Sequence, residues 1–149
     1  MPQALATAHD AETRGRLVGP GLKAFFRIAE HWGVNDQQRL ALLGQSVARS
    51  TLNEWKEKPP RTLSVDQIVR LSYLVGIYER LERVFRRGPD LSRRWLTTPR
   101  SDHPFHTLPP LAYILGGGLL ELAALRQYID HVNGGPPSRE SYTAPAREG

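Results

Sequence analysis

The sequence predicts an all-α protein, a small helical bundle. Apolar residues recur at the i, i+3, i+4, i+7 spacing of a buried helix face in nearly every segment, for example over residues 22–32. Two helix starts carry the residues of a capping box, Asn35 with Gln38 and Ser64 with Gln67. No run alternates polar and apolar residues with the period of two that a strand shows. Helices are therefore the only regular secondary structure that we expect.

The first half of the chain divides into three predicted helices. The first ends at Gly33 and buries one face, formed by Leu22, Phe25, Phe26, Ala29 and Trp32. The second, capped by Asn35, covers about residues 36–43 and ends at Gly44. The third contains "RSTLNEWKEK" and is stopped by two prolines at 59 and 60.

The second half is predicted to hold four more helices. The fourth begins after Ser64 and ends near Arg87, before a Gly-Pro pair. Its inward side is predicted to hold Ile68, Leu71, Leu74, Val75, Leu81, Val84 and Phe85, and its outward side Arg70, Arg80, Arg83 and Arg87. A short helix over 90–97 and a proline-rich loop follow, and Thr107 is predicted to cap the next helix, which ends at Gly116. The last helix covers about 119–132, with Leu122, Leu125, Ile129 and Val132 inward.

Composition excludes several classes of protein. The 149 residues contain no cysteine, which rules out disulfides and thiolate metal sites and fits a reducing compartment. The N-terminus lacks the basic and apolar regions of a signal peptide, and no window approaches the roughly 18 apolar residues of a membrane span. We expect a cytoplasmic protein without membrane contact.

Positive charge is concentrated in one part of the chain. Residues 49–100 contain 12 Lys/Arg and 6 Asp/Glu, a net charge of +6, whereas the remainder carries −1. A basic block of this kind suits a polyanion such as DNA. A solvated, arginine-rich helix face is the alternative interpretation.

The segment "NDQQRLALLGQSVARSTLNEWKEK" has the layout of a helix-turn-helix, two short helices joined by a glycine-containing turn. The second helix carries side chains of the types that bind base edges or phosphates: Arg49, Ser50, Thr51, Asn53 and Lys56. Glu54 and Glu57 oppose that role because carboxylates repel phosphates. The alternative is an ordinary surface helix of a bundle.

No other pattern points to catalysis or to a bound cofactor. His103 and His106 are two imidazoles with a proline between them, fewer ligands than a zinc site needs, so a polar loop is the favoured interpretation. Nucleophile and metalloprotease motifs are absent from the sequence. The glycines at 116–118 lack the Lys and Ser/Thr of a phosphate-binding loop, and a glycine in the left-handed conformation that ends a helix is expected there. We expect no metal, no cofactor and no enzymatic activity.

The tail, "GGPPSRESYTAPAREG" (134–149), differs from the rest of the chain. It contains three prolines and three glycines and no aliphatic residue larger than alanine. Such a segment buries too little apolar surface to offset its ordering entropy, so disorder is expected when it is free.

Taken in order, "LLGQSVARSTLNEW", "VDQIVRLSYLVGIYERLERVF", "WLTTPRSDHPF" and "TLPPLAYILGGGLLELAALRQYIDHV" resemble the Xre/MbcA/ParS antitoxins. The resemblance covers about residues 20–133. It is most specific in the C-terminal half, where the matching residues are Trp95, Leu96, Pro99, Phe105, Pro110, Leu111, Gly117, Gly118, Leu122, Leu125, Arg126, Tyr128, Ile129 and Asp130. The turn from Gly44 to Leu52 is longer than the common "LLG.S..TL" pattern, a departure that bears on DNA binding more than on toxin binding.

The resemblance implies a homodimeric type II antitoxin, paired with a RES-domain toxin that consumes NAD or transfers ADP-ribose from it. It implies an N-terminal arm (1–19), an Xre-like region with the helix-turn-helix (20–87), a toxin-binding domain (88–133) and a tail (134–149) that enters the toxin's NAD pocket. The toxin-binding residues that it implies are Trp95, Phe105 and Arg126, with Arg139, Glu140, Tyr142 and Arg147 in the tail. Binding of operator DNA is the second implied role, and a helix-turn-helix regulator without a toxin is the alternative function.

Overall fold

The computed structural model describes residues 11–44, 47–86 and 89–132, in which the regular secondary structure is helical and no strand occurs. Seven helices lie in these ranges: α1 (Ala11–Trp32), α2 (Asp36–Leu43), α3 (Arg49–Glu54), α4 (Val65–Val84), α5 (Pro89–Thr97), α6 (Pro110–Leu115) and α7 (Leu119–Val132). The predicted all-α class is confirmed. The chain divides into two compact units, unit 1 up to Gly76 and unit 2 from Ile77, with the division inside α4.

Helix α1 begins at Ala11, further toward the N-terminus than the apolar period predicted. Pro20 lies inside it, and proline offers no N–H to the carbonyl one turn earlier. The helix nevertheless continues because its apolar face does: Val18 is buried, as are Leu22 and Phe25. Burial of that face outweighs the local break, and the predicted arm of residues 1–19 therefore contains the start of a helix.

The two predicted capping boxes are present. At the start of α2, the Gln38 N–H donates to Asn35 Oδ1 and the Asn35 N–H donates to Gln38 Oε1, both at 2.8 Å. At the start of α4, the Gln67 N–H donates to Ser64 Oγ at 3.0 Å and the Ser64 N–H donates to Gln67 Oε1 at 2.9 Å. Each box satisfies two backbone donors that a helix start leaves without partners.

Helix α3 is shorter than predicted. It ends at Glu54, and the chain continues to Lys58 in turns whose N–H groups donate three or four residues back, among them Lys58 to the Glu54 carbonyl at 2.9 Å. Pro59 follows directly, and the residue before a proline is disfavoured in the α conformation. The ring of Pro59 and the tightened last turn together account for the early end of the helix.

The outward side predicted for α4 is partly wrong. The Arg70 side chain is only 16% exposed and donates from Nε to Asp66 Oδ2 at 2.8 Å, and the Arg80 side chain is 22% exposed and pairs with Asp130. Val84, predicted inward, is 41% exposed because the helix ends there. The predicted end of the helix at Arg87 lies outside the described residues.

Two predictions about the ends of α6 are corrected. Pro109, not Thr107, is the N-cap, and Thr107 has a positive φ of 76°. Gly116 ends α6 with a φ of −86°, in the right-handed rather than the expected left-handed conformation. The glycines instead allow a contact at the start of α7, where the Glu121 carboxylate accepts a hydrogen bond from the Gly118 N–H at 2.7 Å. A Cβ on Gly117 would lie 2.2 Å from Glu121 Cγ, so only glycine leaves room for the Glu121 side chain there.

Each unit has its own apolar core. Unit 1 buries Val18, Leu22, Phe25, Ile28, Ala29, Trp32, Val34, Leu42, Leu43, Leu52, Leu63, Ile68, Leu71 and Leu74. Unit 2 buries Ile77, Leu81, Leu96, Phe105, Leu111, Ile114, Leu122, Leu125 and Ile129. Among the described helices, none combines the length and apolar content needed to cross a membrane.

Candidate functional site

Helices α2 and α3 form the candidate helix-turn-helix of unit 1. The capping box fixes the start of α2, and Gly44 ends it with a φ of 107°, a conformation that favours glycine. Helix α3 is anchored by Leu52, which is 2% exposed. Residues 45 and 46 of the connecting turn lie outside the described residues, so the predicted lengthening of this turn stays a prediction.

The residues predicted to bind DNA lie on and just after α3. Arg49, Ser50 and Asn53 are exposed and lie on one side of the helix, within 60–160° of the buried Leu52 at the ~100° per residue of an α-helix. Thr51 is half-buried. These exposed side chains are available to a partner.

Lys56 lies beyond the end of α3, in the turn that follows it. Its ammonium is 5.7 Å from the ring centroid of the half-buried Phe26, within the range of a cation–π contact. Glu54 and Glu57 are also exposed beside it. The surface around α3 therefore carries both signs of charge, and its electrostatic attraction for DNA is weaker than the basic block of the sequence suggested.

The centre of unit 2 is an aromatic cluster around Phe105. This side chain is fully buried, and its ring meets three other rings edge to face: Tyr128 at 4.9 Å, Tyr113 at 5.4 Å and Trp95 at 6.4 Å between centroids. Such edge-to-face pairs add to the stabilisation from burial alone. The cluster joins α5, α6, α7 and the loop between α5 and α6 into one body.

A polar network closes one side of the cluster. The Tyr128 hydroxyl donates to the Asp102 carboxylate and accepts a bond from Arg100 Nη2 at 3.1 Å. Arg100 Nε lies 3.3 Å from Asp102 Oδ1, and the guanidinium lies 5.4 Å from the Trp95 ring centroid and 5.8 Å from that of Tyr128. Burial, together with the hydrogen bond to Asp102, raises the pKa of Tyr128 to about 12. The tyrosine is therefore neutral at physiological pH and acts as a hydrogen-bond donor.

The network also fixes the loop between α5 and α6. The Thr107 N–H donates to the Arg100 carbonyl at 2.8 Å, and the Arg100 N–H donates to the Leu108 carbonyl at 3.2 Å. Two backbone bonds thus close the loop at Arg100, while its side chain binds α7 through Tyr128. Leu108, at the end of the loop, is 46% exposed.

The structure gives the predicted toxin-binding residues of unit 2 different environments. Trp95 is half-buried and keeps an accessible edge. Phe105 is 0% exposed, so it supports the cluster and has no surface of its own to offer a partner. The Arg126 side chain is 18% exposed, with Nε 3.9 Å from Asp130 Oδ2. The predicted tail residues Arg139, Glu140, Tyr142 and Arg147 lie outside the described residues.

Sequence reasoning missed the joint role of Arg100, Asp102 and Tyr128. Tyr128 was predicted only as part of the C-terminal motif, and 26 positions separate it from Asp102. Asp130, the last motif residue, likewise pairs with Arg80 from 50 positions away. One sequence feature could have indicated this network, the recurrence of aromatic residues around "RSD" and "QYID".

The two histidines of the loop between α5 and α6 do not belong to a larger metal-binding group among the described residues. The rings of His103 and His106 are 5.8 Å apart, and no group of three or more metal-binding side chains occurs in the described parts of the chain. An apolar groove of about 310 Å³ lies between α1 and α4 within unit 1; its lining is Leu17, Pro20, Gly21, Ala24, Ile68, Leu71, Ser72 and Val75. This lining contains no titratable group.

An exposed apolar side chain marks the start of α7. Leu120 is 82% exposed, next to the turn at Gly116 and Gly117, which are themselves exposed. A single exposed leucine is ordinary on a protein surface, but this one lies beside two glycines, which have no side chains. A partner's backbone can approach closely at such a place.

Comparison with known proteins gives a family match within the first unit and a relative that aligns with about three quarters of the chain. Residues 16–76 match the family described as "Antitoxin Xre-like helix-turn-helix domain". The chain is also 35% identical over 117 residues to "Uncharacterized protein y4oB" of Sinorhizobium fredii (strain NBRC 101917 / NGR234), an alignment that covers 76% of this chain and 84% of that relative.

Proposed function

From the premise that residues 16–76 are an antitoxin Xre-like helix-turn-helix domain, we propose that the chain is the antitoxin of a type II toxin–antitoxin pair. In this proposal it neutralises a RES-domain toxin that degrades NAD or uses it for ADP-ribosylation. The chain itself is proposed to be non-catalytic and homodimeric.

One observation carries the proposal: an antitoxin-type helix-turn-helix shares its chain with a second, separately packed unit that contains the residues of the C-terminal motif. A regulator needs only the first unit to read DNA. The second unit presents the half-buried Trp95 on α5 and the exposed Leu108 on the loop that follows, which is fixed by two backbone bonds and a side-chain network. A fixed, partly apolar surface of this kind suits a protein partner.

We propose that inhibition involves the tail, residues 134–149, which would enter the toxin's NAD pocket. Arg139 and Arg147 suit the space of the NAD phosphates, and Tyr142 suits stacking. Ordering a tail on contact costs entropy, so the folded unit has to supply most of the affinity. Binding and inhibition should therefore be separable.

Truncation after Asn133 tests this separation. The truncated chain is expected to bind the toxin within about tenfold of the full chain's affinity, because the folded unit is intact, but to leave most of its NAD-consuming activity. Binding would be measured by calorimetry and activity by loss of NAD. Full inhibition by the truncated chain would refute the tail mechanism, while loss of binding would show that the affinity resides in the tail.

Repression of its own operon is proposed as a second role of α3. Asn53→Ala is expected to weaken binding to the promoter by about 1–3 kcal/mol, a factor of 5 to 150, since an exposed amide at this position is suited to reading an adenine edge. Gln127→Ala removes an exposed amide from α7 and serves as the matched control. The measurement is a titration of labelled promoter DNA with each variant. Equal promoter affinities of the wild-type, Asn53→Ala and Gln127→Ala proteins would contradict this role.

A helix-turn-helix regulator without a toxin is the alternative function. The exposed polar residues of α3 are compatible with it, and the two proposals differ in what adjoins the gene. A neighbouring reading frame for a RES-domain protein supports the antitoxin, and its absence supports the regulator. The proposed homodimer is tested by light scattering of the purified chain, where a monomer mass at micromolar concentration would contradict it.

A further inference from the structure

Two adjacent residues of the loop between α5 and α6 hold a backbone conformation that residues other than glycine rarely adopt. His106 has a φ of 50° and Thr107 a φ of 76°. The other positive φ angles in the described ranges belong to glycines, Gly33 after α1 and Gly44 after α2. The chain therefore uses glycine for this conformation where a helix ends, but keeps larger residues in the loop.

The conformation is hardest to reach for Thr107. In the left-handed region the Cβ approaches the following carbonyl oxygen, and the branched side chain of threonine adds to that crowding. The Thr107 N–H donates to the Arg100 carbonyl at 2.8 Å. The next N–H, that of Leu108, donates to the Phe105 carbonyl at 2.9 Å. Because Phe105 is fully buried, the surrounding loop holds Thr107 in its strained conformation.

The Thr107 side chain contributes little to the packing of unit 2. It is exposed, and its hydroxyl donates to the adjacent His106 carbonyl, a local bond of the kind that threonine makes in many loops. Glycine at this position would keep both backbone bonds and relieve the strain. Strain of this kind is found preferentially at functional sites. The threonine therefore costs stability, and burial within unit 2 does not compensate for it.

The exposed surface around Thr107 is uncharged and partly apolar. Its members carry no carboxylate, ammonium or guanidinium group: Ser101, His103, His106, Thr107 and Leu108. Leu108 is 46% exposed. The two charged side chains of the loop, Arg100 and Asp102, are half-buried and bind Tyr128. A polyanion such as DNA requires exposed cations, so a protein surface is the partner that fits this loop.

We propose that Thr107 and Leu108 contact the toxin directly, against an uncharged, partly apolar patch of the toxin's surface. The strained backbone already restricts the Thr107 side chain in the free chain, so little conformational entropy is lost there on binding. Contact in the complex compensates for the stability that threonine costs in the free chain. The inference rests on the proposed function, because the partner is the RES-domain toxin, and it adds two contact residues to those that the resemblance implies.

The test compares three variants of the full chain, Thr107→Gly, Thr107→Ala and the control Thr62→Gly. Thr62 is also an exposed loop threonine, its hydroxyl donates to the Leu63 carbonyl at 3.3 Å, and its φ is not positive. The midpoint of urea unfolding measures stability. Thr107→Gly is expected to keep or raise that midpoint, because the relieved strain offsets the greater freedom of glycine in the unfolded chain. Thr62→Gly relieves no strain and is expected to lower it.

Affinity is measured by calorimetry with the purified RES-domain protein that the proposed function expects beside this gene. We expect affinity to fall about tenfold in both Thr107 variants and to stay unchanged in Thr62→Gly. Alanine keeps the backbone restricted at this position, whereas glycine frees it. A loss of affinity in Thr107→Ala therefore reports the missing side-chain atoms and not a loosened loop.

The contrary results separate this inference from the proposed function. Wild-type affinity in either Thr107 variant overturns the inference and leaves the proposed function intact, since the wild-type chain then binds the toxin without this contact. A Thr107→Gly midpoint as far below wild type as that of Thr62→Gly also overturns it, because threonine then costs no stability. A wild-type chain that binds no RES-domain protein refutes the proposed function, and with it the contact inferred here.

Discussion

Replacing Phe105 with alanine is expected to lower the free energy of unfolding by about 3 to 5 kcal/mol. The side chain is fully buried and meets the rings of Trp95, Tyr113 and Tyr128, so its removal leaves a cavity where three elements of unit 2 converge. Because the ring of Trp95 on α5 contacts Phe105 and borders the cavity, toxin affinity should fall with stability even though Phe105 has no exposed surface. Urea unfolding followed by circular dichroism measures the first effect.

Leu120→Ala is the matched control for that change. Leu120 is 82% exposed, and substitutions at such positions usually change the free energy of unfolding by less than about 0.5 kcal/mol. If Leu120 contacts the toxin, the Leu120→Ala variant loses affinity for the toxin and keeps its full stability. A residue with a purely structural role would instead lose stability. A Phe105→Ala protein as stable as the Leu120→Ala protein would contradict the account of the aromatic cluster.

Tyr128→Phe is expected to cost about 1.5 to 3 kcal/mol of stability at neutral pH, since it removes one hydroxyl that bonds two charged groups, Asp102 and Arg100. The ring, and with it the contact to Phe105, is retained. This substitution therefore isolates the polar network from the packing of the cluster. Urea unfolding of the two proteins at pH 8 measures the difference.

The same pair of proteins should differ in their response to alkaline pH. The folded-state pKa of Tyr128 is raised from 10.0 to about 12, chiefly by burial, so the folded protein holds this proton more tightly than the unfolded chain. The stability due to the hydroxyl is thus fully present below pH 10 and is lost as the pH rises through 12. The difference between wild type and Tyr128→Phe should shrink across that interval. A difference that stays constant from pH 8 to pH 12 would contradict the network.

The parts of the fold that depend on neighbours in sequence could be predicted from the sequence. The capping boxes at Asn35 and Ser64 involve residues three positions apart, and the geometry of a helix start determines both bonds. The end of α2 at Gly44 follows from the same local chemistry. These features needed no knowledge of tertiary packing.

Features that depend on distant residues could not be predicted in this way. The sequence predicts that Arg80 faces solvent on α4, but in the fold Arg80 pairs with Asp130. Arg100 and Tyr128 are 28 positions apart, and nothing local indicates that a loop arginine will be held against an aromatic ring. The helical course of α1 through Pro20 likewise reflects burial of its apolar face, which overrides a strong local breaker.

In the candidate functional site, too, the local features could be predicted from the sequence and the long-range ones could not. The exposed residues of α3 could be chosen from their types and spacing, because a helix start followed by polar side chains is a local pattern. Phe105 was chosen from a motif, yet only the packing of unit 2 shows that it supports the surface instead of forming it.

Neutralisation of a RES-domain toxin is the central proposal, and the most direct measurement is NAD consumption by the purified RES-domain protein that the proposal expects beside this gene. The full chain, titrated into that toxin, is expected to abolish NAD loss at a stoichiometric ratio, and the Phe105→Ala chain is expected to need a large excess. Unchanged NAD consumption in the presence of saturating, folded chain would contradict the account and leave the helix-turn-helix regulator as the function of this protein.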